Sequence, residues 1–192
     1  DAKLVFRGRT ATVGENVASI CDAGISNYIT LIAGNIDGTA VGHTDLTVKG
    51  GVWQTVYGGS YNGSFDEADY HLTVTDGSFY GKVYASGVGT QSGNAVVKIS
   101  DGTFYRGLFG TAVAANKDSY IGSILMTISG GVFYGKIAPG TSYDQSINGT
   151  YTLIIQGGDF RHLTDFEGAE KYFGSCESHI VFDGVDATPR LA

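Results

Sequence analysis

The sequence has little charge and no excess of basic residues. Charged residues make up 16% of its 192 positions, against about 25% in typical soluble domains. The 12 Lys and Arg are outnumbered by 19 Asp and Glu, which leaves a formal net charge of −7 at pH 7. Because affinity for nucleic acid comes mainly from Lys and Arg contacts to phosphates, this balance argues against nucleic acid, and against anionic membrane surfaces, as partners.

Long apolar runs are also missing. No stretch approaches the ~18 residues of a transmembrane helix, and no basic start followed by an apolar region marks a signal peptide. The sequence therefore predicts no membrane insertion. We expect the chain to be a mature form or a module of a larger multidomain protein.

Cysteine is scarce, with only Cys21 and Cys176 in the chain. They lie near opposite ends of the sequence, and a disulfide needs Cα atoms within about 7 Å, so their pairing stays open. Few cysteines and little charge, together with abundant Tyr, Thr, Ser and Gly, are typical of secreted bacterial proteins. We therefore predict a secreted or cell-surface location.

Glycine, in contrast, is abundant. The chain has 30 glycines, about twice the 7% share of ordinary proteins. Hydrophobic residues reach 42% and aromatic residues 12%, which is too rich for a disordered chain. The length predicts one domain over residues 1–192, able to bury about 70% of the surface that the unfolded chain exposes.

One phrase of eight residues returns five times along the chain. Its apolar residues alternate, a Gly follows, and an aromatic residue stands two positions after that Gly. The copies are Leu46–Trp53, Leu72–Phe79, Val97–Phe104, Met126–Phe133 and Leu153–Phe160. By subtraction, the shared glycines Gly51, Gly77, Gly102, Gly131 and Gly158 are 26, 25, 29 and 27 residues apart. A second apolar residue follows each aromatic, at Val56, Val83, Leu108, Ile137 and Leu163.

The alternation predicts β-strands, because a period of two belongs to strands and not to helices. The Gly predicts a bend that needs a positive φ or a close backbone approach. Repeats of this length are too short for a propeller blade of about 40 residues or more and lack the helical pattern of ankyrin repeats. A β-solenoid fits, with each strand paired to its equivalents about 4.8 Å above and below.

The five phrases resemble the coils of right-handed parallel β-helix proteins, the pectate-lyase-like superfold, and in particular the Gly-Gly-x-Phe coils of bacterial surface and adhesin-like proteins. The resemblance covers residues 46–163 and implies an all-β solenoid of about five to seven coils. No catalytic signature of the superfold accompanies it.

The flanks are predicted to be caps. Residues 1–45 are assigned to an N-terminal cap with irregular first coils, and residues 164–192 to a C-terminal cap. The segment 29–36 matches the repeated phrase with Ile36 in the aromatic position, and Leu4–Gly8 is a fainter match. Short capping helices are expected over Glu15–Cys21 and Glu167–Phe173. A last strand is expected at His179–Phe182.

In a solenoid, function is sought in columns across the repeats. The residue after each buried aromatic forms one column, Gln54, Tyr80, Tyr105, Tyr134 and Arg161. Its three tyrosines predict an exposed aromatic strip, since flat aromatic faces can hold the apolar faces of sugar rings. The alternative is a self-stacking ladder that only stabilises the fold.

A second column is basic, with Lys82, Arg106 and Lys136 in or beside equivalent positions. Such a strip on an acidic protein predicts binding of a uronate-containing polysaccharide. The alternative is that these surface cations provide solubility and discourage edge pairing.

The segment 57–71 is the richest predicted loop between coils. Tyr57 and Tyr61 are candidate ligand-binding aromatics there. Asp66, Glu67 and Asp69 are candidate oxygen ligands for Ca²⁺, although they do not follow the EF-hand pattern. The alternative is a solvated acidic loop.

Enzyme chemistry has thinner support in the sequence. Asp76 and Asp101 would lie one coil apart, but both occupy a bend position where Asp acts as a turn former. The four histidines show no metal-ligand spacing such as His-x-x-x-His. The leading hypothesis is non-catalytic glycan binding or adhesion. The alternatives are a polysaccharide lyase or glycoside hydrolase acting on an acidic glycan, and a structural spacer of a larger surface protein.

Overall fold

The structure is a computed structural model that describes residues 3–5, 10–14, 29–34, 36, 42–61, 65–89, 91–112, 119–141, 146–168 and 174–184. Within these residues it contains strands and no helix. In chain order the strands are β1 (Lys3–Val5), β2 (Thr10–Val13), β3 (Thr30–Ile32), β4 (His43–Trp53), β5 (Val56–Tyr57), β6 (Phe65–Phe79), β7 (Val83–Tyr84), β8 (Gln91–Ile99), β9 (Thr103–Phe104), β10 (Gly107–Phe109), β11 (Ser119–Ile128), β12 (Val132–Phe133), β13 (Lys136–Ala138), β14 (Ser146–Ile155) and β15 (Cys176–Phe182).

The strands stack in parallel into a β-solenoid. Each turn contains a long strand, a short segment after a glycine bend, and a second short strand. The long strands form one sheet in the order β2, β4, β6, β8, β11, β14, β15, and the last short strands form a second sheet in the order β1, β3, β5, β7, β10, β13. Four turns are complete, over residues 43–57, 65–84, 91–109 and 119–138. Within the described residues this count is slightly below the five to seven coils that the repeats predict.

The register of the long strands confirms the repeat. Leu72 pairs with Leu46 on one side and with Val97 on the other, and Met126 pairs with Val97 and Leu153. Equivalent positions of successive phrases are therefore direct neighbours in space, one turn apart.

The bend glycines adopt the backbone conformation that the sequence predicts. Their φ angles are +93°, +130°, +116°, +99° and +121° at Gly51, Gly77, Gly102, Gly131 and Gly158. Side-chain carboxylates stabilise two of these bends, since Asp76 Oδ1 accepts from the Gly77 N–H and Asp101 Oδ1 from the Gly102 N–H, both at 2.7 Å. The structural role assigned to these two aspartates agrees with this geometry.

In the core, phenylalanine rings at equivalent positions of successive turns stack on one another. Phe79, Phe104 and Phe133 are fully buried, and their rings lie 4.8 Å apart at interplanar angles of 13° and 5°. Phe160 continues the stack at 5.1 Å from Phe133. Each such contact adds about 0.5–1.5 kcal/mol beyond area burial, so the aromatic column ties consecutive turns together.

Several expectations at the flanks are wrong. β3 does not lie in the column of the repeated phrase, because Leu31 and Ile32 pair with Val56 and Tyr57 in the other sheet. Leu163, the predicted apolar residue of the last copy, does not pair with Ile137, which pairs with Phe166. The chain turns instead at residues 160–163, where the Leu163 N–H donates to the Phe160 carbonyl at 3.0 Å.

The predicted capping segments have different outcomes. The Glu167 N–H donates to the Ile137 carbonyl at 2.9 Å, so the chain at 167 follows the sheet and does not begin a helix. Residues 15–24 and 169–173, which hold the rest of the predicted helices, lie outside the described residues. The last strand is confirmed as β15, which is parallel to β14.

Candidate functional site

The three column tyrosines form a ladder at the corner that follows the buried aromatic of each turn. Ring centroids lie 4.5 Å apart between Tyr80 and Tyr105 and 5.3 Å apart between Tyr105 and Tyr134, with interplanar angles of 17° and 14°. Each tyrosine is 38% exposed. The rings therefore cover one another's faces and leave their edges to solvent.

The ladder ends differently from the sequence column. His162 stacks on Tyr134 at 5.0 Å and 9°, and so takes the place expected for Arg161. The Arg161 guanidinium instead binds both carboxylate oxygens of Asp159, at 2.9 and 2.5 Å. This contact lowers the pKa of Asp159 to about 2. Because Tyr80, Tyr105 and Tyr134 cover the ring faces between them, a ligand that binds along the ladder meets ring edges and hydroxyls and not open ring faces.

The three basic residues stand close to the ladder but do not form one equal strip. By register, Lys82 and Lys136 share a column with Gly107 between them, while Arg106 lies one position earlier. The Lys82 ammonium lies 5.4 Å from the Phe109 ring centroid. Lys136 is bound to Glu167 at 3.0 Å, and that glutamate is only 2% exposed. Arg106 is exposed and has no ion-pair partner within the described residues.

Tyr57 and Tyr61 belong to a second aromatic cluster, away from the ladder. Tyr57 stacks on Tyr84 at 4.9 Å and 10°, and Tyr61 meets Tyr57 edge-on at 5.3 Å. Burial, with a smaller contribution from Tyr61, raises the pKa of Tyr57 to about 12. The structure thus places these two tyrosines against a small apolar core and not beside the three ladder tyrosines.

The acidic segment is a strand and not a loop. Asp66, Glu67 and Asp69 lie in β6, next to a register shift between Phe65 and Ala68. The side chains of Asp66 and Glu67 lie outside the described residues. Asp69 Oδ1 accepts a hydrogen bond from Asn94 Nδ2 at 3.0 Å.

A shallow depression of about 340 Å³ lies on the outer face of the long-strand sheet. Lys98 stands in its lining among polar side chains, namely Thr73, Ser100, Thr127, Ser129 and Gln156. One of these polar side chains already has a hydrogen-bond partner within the protein, since the Ser129 hydroxyl donates to the Ile99 carbonyl oxygen of the neighbouring turn at 3.2 Å.

His43, Asp45 and His71 form a group of metal-ligand residue types that the sequence patterns do not predict. A nitrogen of His43, a nitrogen of His71 and a carboxylate oxygen of Asp45 all lie within 4.8 Å of one another. A sequence signal exists, because His-x-Asp at 43–45 and Asp-x-His at 69–71 begin 26 residues apart, which is one repeat. It becomes visible only when consecutive copies are aligned as neighbours.

The described residues contain no helix that is long and apolar enough to cross a membrane. Comparisons with models of protein families, with curated proteins and with solved structures find no match for this chain.

Proposed function

We propose that this solenoid is a non-catalytic carbohydrate-binding or adhesion module of a secreted or cell-surface protein, and that it binds an acidic polysaccharide along the tyrosine ladder. The observation that carries the proposal is the row of three stacked tyrosines, each 38% exposed. Aromatic residues of this exposure are otherwise rare on the described surface, where the other exposed large hydrophobics lie in β15.

The repeat of the ladder suits a linear polymer. Successive ring centroids are 4.5 and 5.3 Å apart, a spacing comparable to the length of one sugar residue in an extended glycan. Each tyrosine offers an apolar ring edge and a hydroxyl that donates and accepts hydrogen bonds. A polysaccharide laid parallel to the solenoid axis therefore meets one equivalent group per sugar. This mode replaces the face-on stacking that the sequence suggests, because the tyrosines stack on one another.

Cations beside the ladder favour an acidic glycan. Arg106 directly follows Tyr105 and is exposed without an ion-pair partner in the described part of the chain. The Lys82 ammonium lies above an aromatic ring and not beside a carboxylate. Guanidinium groups pair with carboxylates through two parallel hydrogen bonds, so uronate units are the sugars that this corner recognises best.

The test replaces hydroxyls and keeps the stack. A triple variant with Tyr80→Phe, Tyr105→Phe and Tyr134→Phe retains the ring contacts and loses the hydroxyl row. Affinity gel electrophoresis in polygalacturonate, alginate and a neutral glucan is expected to show retardation of the wild-type chain by the acidic polymers and at least a tenfold weaker effect for the variant. Tyr57→Phe, in the second aromatic cluster, is the matched control and should bind like the wild type.

The other functions give different results in the same experiment. Release of unsaturated or reducing oligosaccharides from the acidic polymers would point to a lyase or hydrolase in place of a binding module. Unretarded migration in every polymer would refute glycan binding and leave a structural spacer. Equal retardation of the wild type and the triple Phe variant would show that the ladder is not the binding surface.

A further inference from the structure

Four outward side chains form a square on the outer face of β4 and β6. His43 and Asp45 are two residues apart and so leave the same face of β4. In register on β6, Asp69 lies opposite His43, and His71 lies opposite Asp45. The residue between each pair points inward, since Thr44 and Tyr70 are 0% and 1% exposed. The two imidazoles therefore occupy one diagonal of the square and the two carboxylates occupy the other.

Three of the four side chains converge on a common point. The ligand atoms of His43, Asp45 and His71 all lie within 4.8 Å of one another. The two imidazole centroids are 5.1 Å apart and the rings are nearly perpendicular, at 84°. Among the described residues, none of these three side chains has a hydrogen-bond or ion-pair partner. The convergence therefore is not explained by hydrogen bonds among them.

We propose that His43, Asp45 and His71 bind one divalent transition-metal ion, of which Zn²⁺ is the representative. Two imidazole nitrogens and one carboxylate oxygen, with water in the fourth position, are a donor set that Zn²⁺ takes in proteins. With metal–ligand bonds of about 2.0–2.1 Å, tetrahedral ligand atoms stand ~3.3 Å apart. The side chains must therefore close by about 1.5 Å at most from their present separations, which rotation about their χ angles at the surface permits.

Asp69, at the fourth corner of the square, is not a ligand of the proposed site. It lies opposite His43 in register, but its carboxylate accepts a hydrogen bond at 3.0 Å from Asn94 on the strand of the next turn. Imidazole ligands favour Zn²⁺, Cu²⁺ and related ions, whereas Ca²⁺ and Mg²⁺ prefer all-oxygen sites. The site is thus distinct from the Ca²⁺ site that the sequence suggests at 66–69.

A bound ion would cross-link two turns of the solenoid, since one imidazole belongs to β6 and the other two ligands to β4. An ion that binds the folded chain and not the unfolded chain raises the melting temperature. At Zn²⁺ concentrations one hundred times the dissociation constant, the expected rise is about 5–11 °C for a chain of this size. Three protein ligands also leave a coordination position for an exchangeable small ligand.

The experiment is a titration of the full chain, freed of metal with a chelator, with ZnCl₂ and separately with CaCl₂ by isothermal calorimetry. We expect one Zn²⁺ per chain and no comparable Ca²⁺ binding. His71→Gln and Asp45→Asn should each weaken Zn²⁺ binding at least tenfold. His179→Gln is the matched control, because His179 is an exposed histidine 3.2 Å from a carboxylate of Glu177 and, among the described residues, has no third ligand beside it.

A second readout reports the ligands directly. Visible absorption of the Co²⁺-loaded chain should show the d–d bands of a four- or five-coordinate ion, and His43→Gln should weaken them strongly. Circular dichroism confirms that each variant is folded, and the three substitutions at separate ligands make the test independent of any single one. Absence of Zn²⁺ binding up to millimolar concentrations would overturn the proposal. Equal affinity of wild type, His71→Gln and Asp45→Asn would also overturn it.

Discussion

Replacing Gly122 by Ala should destabilise this protein more than replacing a bend glycine. Gly122 lies within β11, paired with Gly93 below and Gly149 above, and its φ is +142°. A Cβ at this position would lie 1.9 Å from the Gly93 carbonyl oxygen, whereas real Cβ atoms essentially never come within 3.0 Å. Neighbouring turns would have to separate locally by about 1 Å, which breaks main-chain hydrogen bonds between β8 and β11.

The size of the effect follows from two contributions. A non-Gly residue in this backbone region costs about 1–3 kcal/mol. Loss of two or three ladder hydrogen bonds adds about 1 kcal/mol each. The sum, about 3–6 kcal/mol, corresponds to a fall in melting temperature of about 6–24 °C for a chain of this length. At the bend, Gly102→Ala meets the Gly77 oxygen at 3.2 Å, so backbone strain alone predicts about 2 kcal/mol.

Thermal melts followed by circular dichroism, together with urea unfolding, measure these differences. Gly42→Ala is the control, because a Cβ there meets nothing within 4 Å among the described residues. This substitution should change the free energy of unfolding by less than about 0.5 kcal/mol. The expected order of loss is Gly122→Ala, then Gly102→Ala, then Gly42→Ala. A Gly122→Ala protein that melts within 2–3 °C of the wild type would contradict this prediction, since its turns would then tolerate a side chain between them.

Four further predictions concern polar groups. Tyr70→Phe should leave stability unchanged or raise it, since its buried hydroxyl has no hydrogen-bond partner in the described part of the chain. Tyr120→Phe should lower the free energy of unfolding in urea by about 1 kcal/mol, because the Tyr120 hydroxyl lies 3.1 and 3.2 Å from two backbone carbonyl oxygens. Equal losses of stability in the Tyr70→Phe and Tyr120→Phe proteins would contradict both predictions. Arg161→Gln should return the pKa of Asp159 from about 2 toward 3.8 in an NMR titration. In the wild type the stabilisation from this pair is therefore present above pH 3.8 and lost as the pH falls toward 2, and an unmoved midpoint would exclude the guanidinium as its cause. Lys136→Met should lower the free energy of unfolding by about 2 kcal/mol, which is less than the ~3–5 kcal/mol of a fully buried pair. The reason is that Lys136 keeps 27% of its side chain exposed, whereas its partner Glu167 keeps 2%. An unchanged free energy of unfolding would show that the buried carboxylate of Glu167 does not need this partner.

The sequence predicts the repeat, its register and the bends because a solenoid is nearly one-dimensional. Each residue of a turn has its equivalents one repeat away as neighbours, so aligning the copies is the same operation as finding the contacts. Leu72 beside Val97, Phe79 on Phe104 and the positive φ of Gly77 all follow from this property. The expectation fails at the flanks, where β3 joins the other sheet, because a single weak copy does not show which strand of a turn it represents.

The candidate site divides in the same way. The sequence alone places Tyr80, Tyr105 and Tyr134 in one exposed column, and the structure has them there at 38% exposure each. It does not show that the rings stack on one another, because ring orientation depends on rotamers and not on register. Nor does it show that Lys136 is bound to a buried glutamate 31 residues along the chain, since that contact crosses from a regular turn into the irregular C-terminal segment.

The repeated phrase is therefore sufficient to predict the architecture of this protein: an all-β solenoid with a repeat of about 26 residues, glycine bends and an aromatic core. Which functional groups face the solvent depends on contacts that the repeat does not encode. Stacking turned the tyrosine faces toward each other, an ion pair engaged one of three cations, and the pairing of β4 with β6 brought His43, Asp45 and His71 together. The physical reason is that repetition dictates which residues are neighbours, whereas side-chain rotamers and contacts between unlike segments dictate what those neighbours do.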